Sequence, residues 1–244
     1  MKLCARGFVP GAFCTAVQPE KGEIAMIKYD DIRHSDEINT YIRQADASLE
    51  ALGYTEHSFA HVTRCAHTAA SLLRQLNYPA RTCELAAIAG YMHDIGNVIN
   101  RIDHAQSGAV MAFRILDKMG MEPADVATVV TAIGNHDEGT AFPVNAVAAA
   151  LILADKTDVR RTRVRSSADI GTDIHDRVNY AVEEGHTELN QEKKTFTLRL
   201  VLDTGICPIL EYFEIFMERM LLCRRAANFF GLSFGVVIND QTIM

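Results

Sequence analysis

The sequence predicts a mainly α-helical domain followed by a small α+β unit of ββαβ order. Between residues 35 and 161, apolar residues recur every three or four positions in segments that end at glycine or proline, which is typical of amphipathic helices. After about residue 165 the pattern changes, and apolar and polar residues alternate over 196–202, as they do in a half-buried strand. We therefore expect a disordered leader at 1–30, the helical domain at 31–168 and the α+β unit at 169–244.

The helical domain has clear start and stop signals. Ser35 is a plausible N-cap with acidic residues after it, Asp103 is a candidate cap for a later helix, and Pro123 suits a first helical turn. Gly53 and Pro79 each follow a predicted helix and stop it. The predicted helices span 35–52, 58–76, 82–94, 104–119, 123–134 and 144–161.

The C-terminal unit is predicted to be a three-stranded antiparallel sheet covered by one helix. Its segments are a helix at 173–184, a strand at 187–190, a turn at 191–194, a strand at 196–202, a helix at 208–230 and a strand at 234–239. The helix at 208–230 has apolar residues on two sides, which is more than one small sheet can cover. Two alternatives follow: this helix docks onto the chain's own helical domain, or it forms a symmetric homodimer.

Composition excludes several classes of protein. The chain of 244 residues is 48% apolar with a net charge of −7, so its surface as a whole does not attract polyanions and a nucleic-acid partner is not expected. The longest apolar runs are too short for a membrane span. The six cysteines lack Cys-x-x-Cys spacing, which favours free thiols in a cytoplasmic protein over disulfides. The weak signal-peptide pattern before Val17 is broken by Pro10 and Gly11, and Met26 is an alternative start.

The strongest chemical signal is the His93-Asp94 pair at the end of an alanine-rich helix. Imidazole nitrogens and carboxylate oxygens are ligands for divalent metals, although a lone pair of this kind also suits an ordinary helix end. Four further residues of the same two types lie in or next to predicted helices: His61, His104, His136 and Asp155.

In this order the residues resemble the HD-domain metal-dependent phosphohydrolases. The matching blocks are His61-Val62-Thr63, His93-Asp94-Ile95-Gly96, His104-Ala105-Gln106-Ser107-Gly108, Asn135-His136-Asp137-Glu138 and Ala154-Asp155-Lys156. The resemblance covers about residues 57–165 and is of the HDIG type. The Gly-Tyr-Pro signature of the HD-GYP group does not follow Glu138, so hydrolysis of cyclic-di-GMP is not implied.

The resemblance implies a centre for two divalent metal ions, each Fe, Mn, Zn or Mg. One ion is held by His61, His93, Asp94 and Asp155, with Asp94 as the bridging ligand and the His93-Asp94 pair as the catalytic core. His104 and His136 complete the site of the other ion.

Three positions extend or depart from the family pattern. His57 and Asp137 either hold a third ion or orient the other ligands, and we favour orientation. Asn97 stands where the family often has lysine, so Asn97, Lys156 and Arg160 are the predicted phosphate-binding residues.

The resulting prediction is an enzyme that hydrolyses a small phosphomonoester or phosphodiester, such as a nucleotide, with metal-activated water. The alternatives are a non-catalytic module that senses metal or nucleotide, and an RNA or oligonucleotide phosphodiesterase. The net charge of −7 weighs against the RNA alternative.

Overall fold

The computed structural model describes residues 26–165 and 174–244, and it confirms the mainly helical fold with a C-terminal α+β unit. Residues 1–25 of the predicted leader lie outside the described residues. The first helix begins at Tyr29, so the end of the predicted leader is helical and not disordered. The α-helices in the described part are α1 Tyr29–Arg33, α2 Asp36–Ala51, α3 Phe59–Gln75, α4 Ala80–Met92, α5 His104–Lys118, α6 Pro123–Gly134, α7 Ala146–Lys156, α8 Ile174–Ala181 and α9 Ile209–Phe229.

The helix starts follow the predicted caps in part. The Ser35 hydroxyl accepts a hydrogen bond from the Ile38 backbone N–H, as an N-cap should. Asp103 occupies the position before α5, but its backbone is left-handed with φ 57° and its side chain makes no capping bond, so the predicted cap is wrong.

The sixth predicted helix, 144–161, is too long, and the helix found in its place is α7. It ends at Lys156, after which Asp158, Arg160 and Arg163 turn back towards α3 and the segment that leads into it. In this segment Asp158 contacts His61, and Arg160 and Arg163 contact Glu56. A short 3-10 turn, Arg161–Arg163, follows.

Glycines allow the helices around the centre of the domain to approach closely. A Cβ atom at Gly90 of α4 would lie 2.7 Å from the Ala66 Cα of α3. A Cβ atom at Gly96, in the 3-10 turn Ile95–Val98, would lie 2.0 Å from the His104 carbonyl oxygen. Both glycines stand beside the His93-Asp94 pair, so close backbone packing fixes the position of that pair against α3 and α5.

The C-terminal sheet differs from the predicted one. It contains β1 Val182–Asn190, β2 Thr195–Leu202, β3 Ser233–Ile238 and β4 Gln241–Thr242, adjacent in that order. β1 pairs antiparallel with β2 and β3 with β4, but β2 and β3 are parallel. The antiparallel prediction failed because α9 crosses over between β2 and β3 and returns the chain to the same end of the sheet. The predicted helix at 173–184 also stops at Ala181, and β1 begins directly after it.

Helix α9 packs against α7 of the helical domain as well as β2 and β3. Tyr212, Phe216 and Met220 are fully buried within the chain, whereas Leu210 and Met217 remain exposed. The predicted docking of this helix onto its own helical domain is therefore observed. The predicted homodimer remains a prediction, which now involves only the exposed side.

Two composition-based expectations are met in the described residues. Cys65, Cys83, Cys207 and Cys223 are buried free thiols. No helix among those described is both long and apolar enough to cross a bilayer.

Candidate metal centre

All six predicted metal ligands meet at one place in the helical domain. They come from α3, the end of α4, α5, the end of α6 and α7, so elements distant in sequence converge on the centre. The four histidines are almost completely buried, and Asp94 is only 5% exposed. The six residues are His61, His93, Asp94, His104, His136 and Asp155.

The carboxylate of Asp94 lies between two groups of histidines. Its Oδ2 atom is 3.5 Å from His61 Nε2 and 3.1 Å from His93 Nε2. Its Oδ1 atom is 3.6 Å from His104 Nε2 and 3.9 Å from His136 Nε2. Each oxygen therefore faces its own pair of imidazoles, which is the arrangement expected of a bridging ligand.

The two sides differ in their further carboxylates. On the first side, Asp155 Oδ1 lies 3.3 Å from His61 Nε2 and 3.8 Å from His93 Nε2. On the second side, Asp137 Oδ1 lies 3.9 Å from His104 Nε2. The second carboxylate therefore lies closer to the imidazoles on the first side than on the second side.

The histidines are held from behind through their Nδ1 atoms. His61 Nδ1 donates to Asp158 Oδ2 at 2.8 Å, and His93 Nδ1 donates to the Gly90 carbonyl at 2.8 Å. The Nδ1 atoms of His104 and His136 donate to the carbonyls of Arg101 and Ile133. These bonds fix the tautomer that leaves Nε2 as a lone-pair donor towards the centre.

Two buried atoms at the centre lack a hydrogen-bond partner within the described chain: His93 Nε2 and Asp94 Oδ2. In addition, the Nε2 atoms of His104 and His136 lie only 3.2 Å apart. A buried polar group without a hydrogen-bond partner lowers the stability of the folded protein. Facing lone pairs of nitrogen and oxygen fit divalent cations, so the residues present match the metal ions that the resemblance implied.

The protonation states also suit metal binding. Burial lowers the pKa of His104 and, more strongly, that of His136, so both favour the neutral form that coordinates metal. Burial alone would raise the pKa of Asp94 and Asp155. The charges of the His93 imidazolium beside Asp94 and of the Lys156 ammonium beside Asp155 outweigh burial and hold both pKa values well below the usual range. Burial lowers the pKa of His93, but the Asp94 carboxylate outweighs burial and raises it, so a divalent ion has to displace the proton of His93 on binding.

The predicted phosphate-binding role of Lys156 is not supported. Its ammonium is buried, 2.8 Å from Asp155 Oδ2 and 3.0 Å from Glu138 Oε2. The other oxygen of Glu138 lies 2.9 Å from Arg219 Nε of α9. Lys156 therefore holds the carboxylate of Asp155, a predicted metal ligand, and α9 reaches Lys156 through Glu138.

Asn97 and Arg160 are also engaged elsewhere. The Asn97 amide donates to Asp94 Oδ1 and to the Asp94 carbonyl, both at 3.0 Å, so it positions the bridging carboxylate. The Arg160 guanidinium pairs with Asp158 and Glu56. Since Asp158 holds His61, Arg160 acts behind the ligands and does not face the centre.

His57 and Asp137 lie beside the proposed ligands. His57 lies directly before Ser58, the N-cap residue of α3, and its ring lies 5.4 Å from that of His61. Its Nδ1 donates to the Thr55 carbonyl. Among the described residues, two groups are compact enough for a metal ion: His61, Cys65, His93 and Asp155, and His93, Asp94 and His136. His57, Asp137 and also His104 lie outside both groups, so the orienting role of His57 and Asp137 stays a prediction.

Sequence reasoning missed several contributors. Asp158 stands three residues after Asp155, and Glu138 directly follows Asp137, so both lie next to motif residues that signalled the site. Cys65, one turn after His61, has its Sγ 3.7 Å from the His61 ring nitrogens. Arg219 had no sequence signal because it is brought in from α9 by tertiary packing.

A family comparison agrees with this geometry. The HD domain family matches residues 58–181, just over half of the chain. The chain belongs to the HD-domain family. This membership confirms the resemblance seen in the motifs, and HD domains bind divalent metals.

The chain is also similar to individual proteins. An uncharacterised protein of Methanocaldococcus jannaschii is 26% identical over 159 residues, which cover 56% of this chain and 61% of the relative. The chain thus spans less than two thirds of that relative's length. A crystal structure of a predicted HD superfamily hydrolase from an uncultured Thermotogales bacterium is 28% identical, with a TM-score of 0.42, over 52% of this chain and 69% of the other.

Proposed function

We propose that this HD-domain protein hydrolyses phosphate esters of small molecules, as a phosphatase or a phosphodiesterase. The observation that supports the proposal is the position of the Asp94 carboxylate. Its Oδ2 atom faces His61 and His93, and its Oδ1 atom faces His104 and His136. A purely structural histidine cluster has no need of a buried carboxylate at its centre whose Oδ2 atom lacks a hydrogen-bonding partner.

In this proposal His61, His93, Asp94 and Asp155 hold one divalent ion, and Asp94, His104 and His136 hold the other. The two ions, when bound, supply positive charge to a phosphate ester and lower the pKa of a water molecule.

The surrounding residues keep these ligands ready. Lys156 holds Asp155 as a carboxylate, and Asn97 holds the Asp94 carboxylate in place. Burial by the helices around the centre excludes bulk water, which strengthens every charge interaction there.

A screen of generic substrates tests the proposal. Protein reconstituted in turn with Mn²⁺, Fe²⁺, Zn²⁺ and Mg²⁺ should hydrolyse p-nitrophenyl phosphate or bis-p-nitrophenyl phosphate. Asp94→Ala should reduce turnover by more than the roughly 10- to 100-fold typical of losing an outer-shell partner, because it removes a ligand to both ions. Asp117→Ala, a change of an exposed carboxylate on α5, is the matched control and should leave turnover unchanged.

The contrary outcome is equally clear. Protein that binds two ions but hydrolyses neither ester with any metal would contradict the proposal and favour the sensing module. Activity that survives Asp94→Ala would place catalysis at a different site.

A further inference from the structure

One arginine, Arg101, faces the candidate metal centre and has N–H groups that can donate to a further acceptor. Arg101 lines the same enclosed polar cavity as Asp94, His104 and His136. Its Nη1 atom lies 3.2 Å from His104 Nε2 and 3.4 Å from Asn97 Oδ1. The side chain is partly exposed, so it connects the buried ligands with the outside.

The other cations around this cavity are already paired. Lys156 binds two carboxylates, Arg219 binds Glu138, and Arg163 donates to the carbonyls of Glu56 and Asp158. Arg101, by contrast, has no carboxylate within ion-pair distance among residues 26–165 and 174–244. A guanidinium with five donors and no anionic partner is suited to a ligand that brings its own negative charge.

An aromatic ring stands next to this guanidinium. The Cζ atom of Arg101 lies 5.8 Å from the centroid of the Tyr54 ring, and Tyr54 is 39% exposed. The backbone of Tyr54 is anchored, since its N–H donates to the Leu49 carbonyl and its own carbonyl accepts from Arg165 Nε. The backbone that carries this ring is therefore held in place, and the ring lies next to Arg101.

We propose that Arg101 binds the phosphate group of the substrate and that Tyr54 stacks against a planar group attached to that phosphate. The inference rests on the proposed function and narrows its substrates to aryl or nucleoside phosphates. Since His104 Nε2 is assigned to the second ion, a phosphate at that ion lies within reach of Arg101. A guanidinium binds two phosphate oxygens through parallel N–H bonds, which lysine cannot match.

Equilibrium binding of inorganic phosphate to the metal-loaded protein tests the role of Arg101 without any turnover. Arg101→Gln should weaken phosphate binding about 10- to 100-fold in calorimetry, the loss expected for charged hydrogen bonds. Arg101→Lys should fall between Arg101→Gln and wild type. Arg114→Gln, which removes an exposed arginine of α5, is the matched control. Metal content is measured for each protein, because Arg101 contacts His104.

Kinetics with paired substrates test the role of Tyr54. Tyr54→Leu should raise KM for phenyl phosphate and for a nucleoside monophosphate about tenfold, the size of one stacking contact. KM for an alkyl phosphate, and the affinity for inorganic phosphate, should stay within about twofold. Tyr54→Phe should recover most of the aryl preference, because it keeps the ring.

Each part can fail separately. Phosphate affinity that is unchanged in Arg101→Gln with normal metal content would overturn the role of Arg101. Equal effects of Tyr54→Leu on aryl and alkyl substrates would overturn the stacking role. A wild-type protein that binds phosphate through Arg101 but hydrolyses no ester would count against the proposed function and leave the phosphate site standing.

Discussion

At the scale of single residues, the predicted ligands are held in place by partners that lie behind them. Asp158 accepts a hydrogen bond from His61 Nδ1 and is itself held by Arg64 and Arg160. The pKa of Asp158 lies well below its usual range, because its bond to His61 and the nearby guanidiniums outweigh the effect of burial. A permanent carboxylate behind His61 makes that imidazole a stronger metal ligand.

Replacing Asp158 by Asn tests this outer partner. The amide is close in shape but carries no charge, so the affinity of the first metal site should fall about 10- to 100-fold. Competition with a chelator measures the change, and Asp117→Asn on the exposed face of α5 serves as the control. Equal affinities in Asp158→Asn and wild type would show that the carboxylate has no influence on the metal.

The sequence located the ligands but not their supports. The six predicted ligands could be named because each lies in a motif with a fixed order, and the structure brings all six residues together. Arg219 was not predictable, since it is about 80 residues from Glu138 in the chain. Lys156 and Arg160 were predicted to bind phosphate because the sequence shows their positive charge. It does not show the carboxylates that pair with them in the structure.

At the scale of secondary-structure elements, close backbone packing sets the geometry of the site. Gly96 brings the turn after Asp94 against α5, which carries His104. One side of the centre is therefore built by the contact between these two elements. A side chain at position 96 would push them apart.

Gly96→Ala should therefore destabilise the fold and impair the second metal site. The added Cβ would meet backbone atoms of His104 and Gly108, which cannot rotate away. Overpacking of this kind costs about 1–3 kcal/mol in free energy of unfolding, measurable by urea denaturation. Gly139→Ala is the matched control, since a Cβ there meets nothing within 4 Å. Equal stability of the two variants would contradict this account of the packing.

The elements themselves were predicted unevenly. Helices with capping, glycine or proline signals, such as α2 and α6, were placed to within about a residue or two. The sheet was not, because parallel pairing of β2 and β3 depends on where α9 packs, and local alternation carries no information on strand direction. β1 was assigned too short because its first residues, which include Glu183 and Glu184, resemble an exposed helix end.

At the scale of the whole molecule, the C-terminal unit forms part of the wall of the metal centre. Helix α9 contacts α7, and its Arg219 joins the chain of charges that runs through Glu138 and Lys156 to Asp155. The unit therefore contributes to the site, which the sequence did not suggest.

The homodimer predicted through residues 208–230 must use the exposed side of α9. Phe216 and Met220 are buried within the chain, so charged substitutions there would disrupt the fold itself. Met217→Glu and Leu210→Glu are better tests and should convert a dimer to a folded monomer in sedimentation experiments. Leu52→Glu, at an exposed leucine away from α9, is the control. A wild-type protein that sediments as a monomer at micromolar concentration would rule the dimer out.

The most direct test of the central claim is the number of metal ions bound per chain. Because Asp94 faces two separate pairs of histidines, the reconstituted wild-type protein should hold about two equivalents by mass spectrometry of the metal. His104→Ala should hold about one, since His61, His93, Asp94 and Asp155 remain, and Asp94→Ala should lose ions from both sites. One equivalent or less in the wild-type protein after reconstitution would contradict the dinuclear centre.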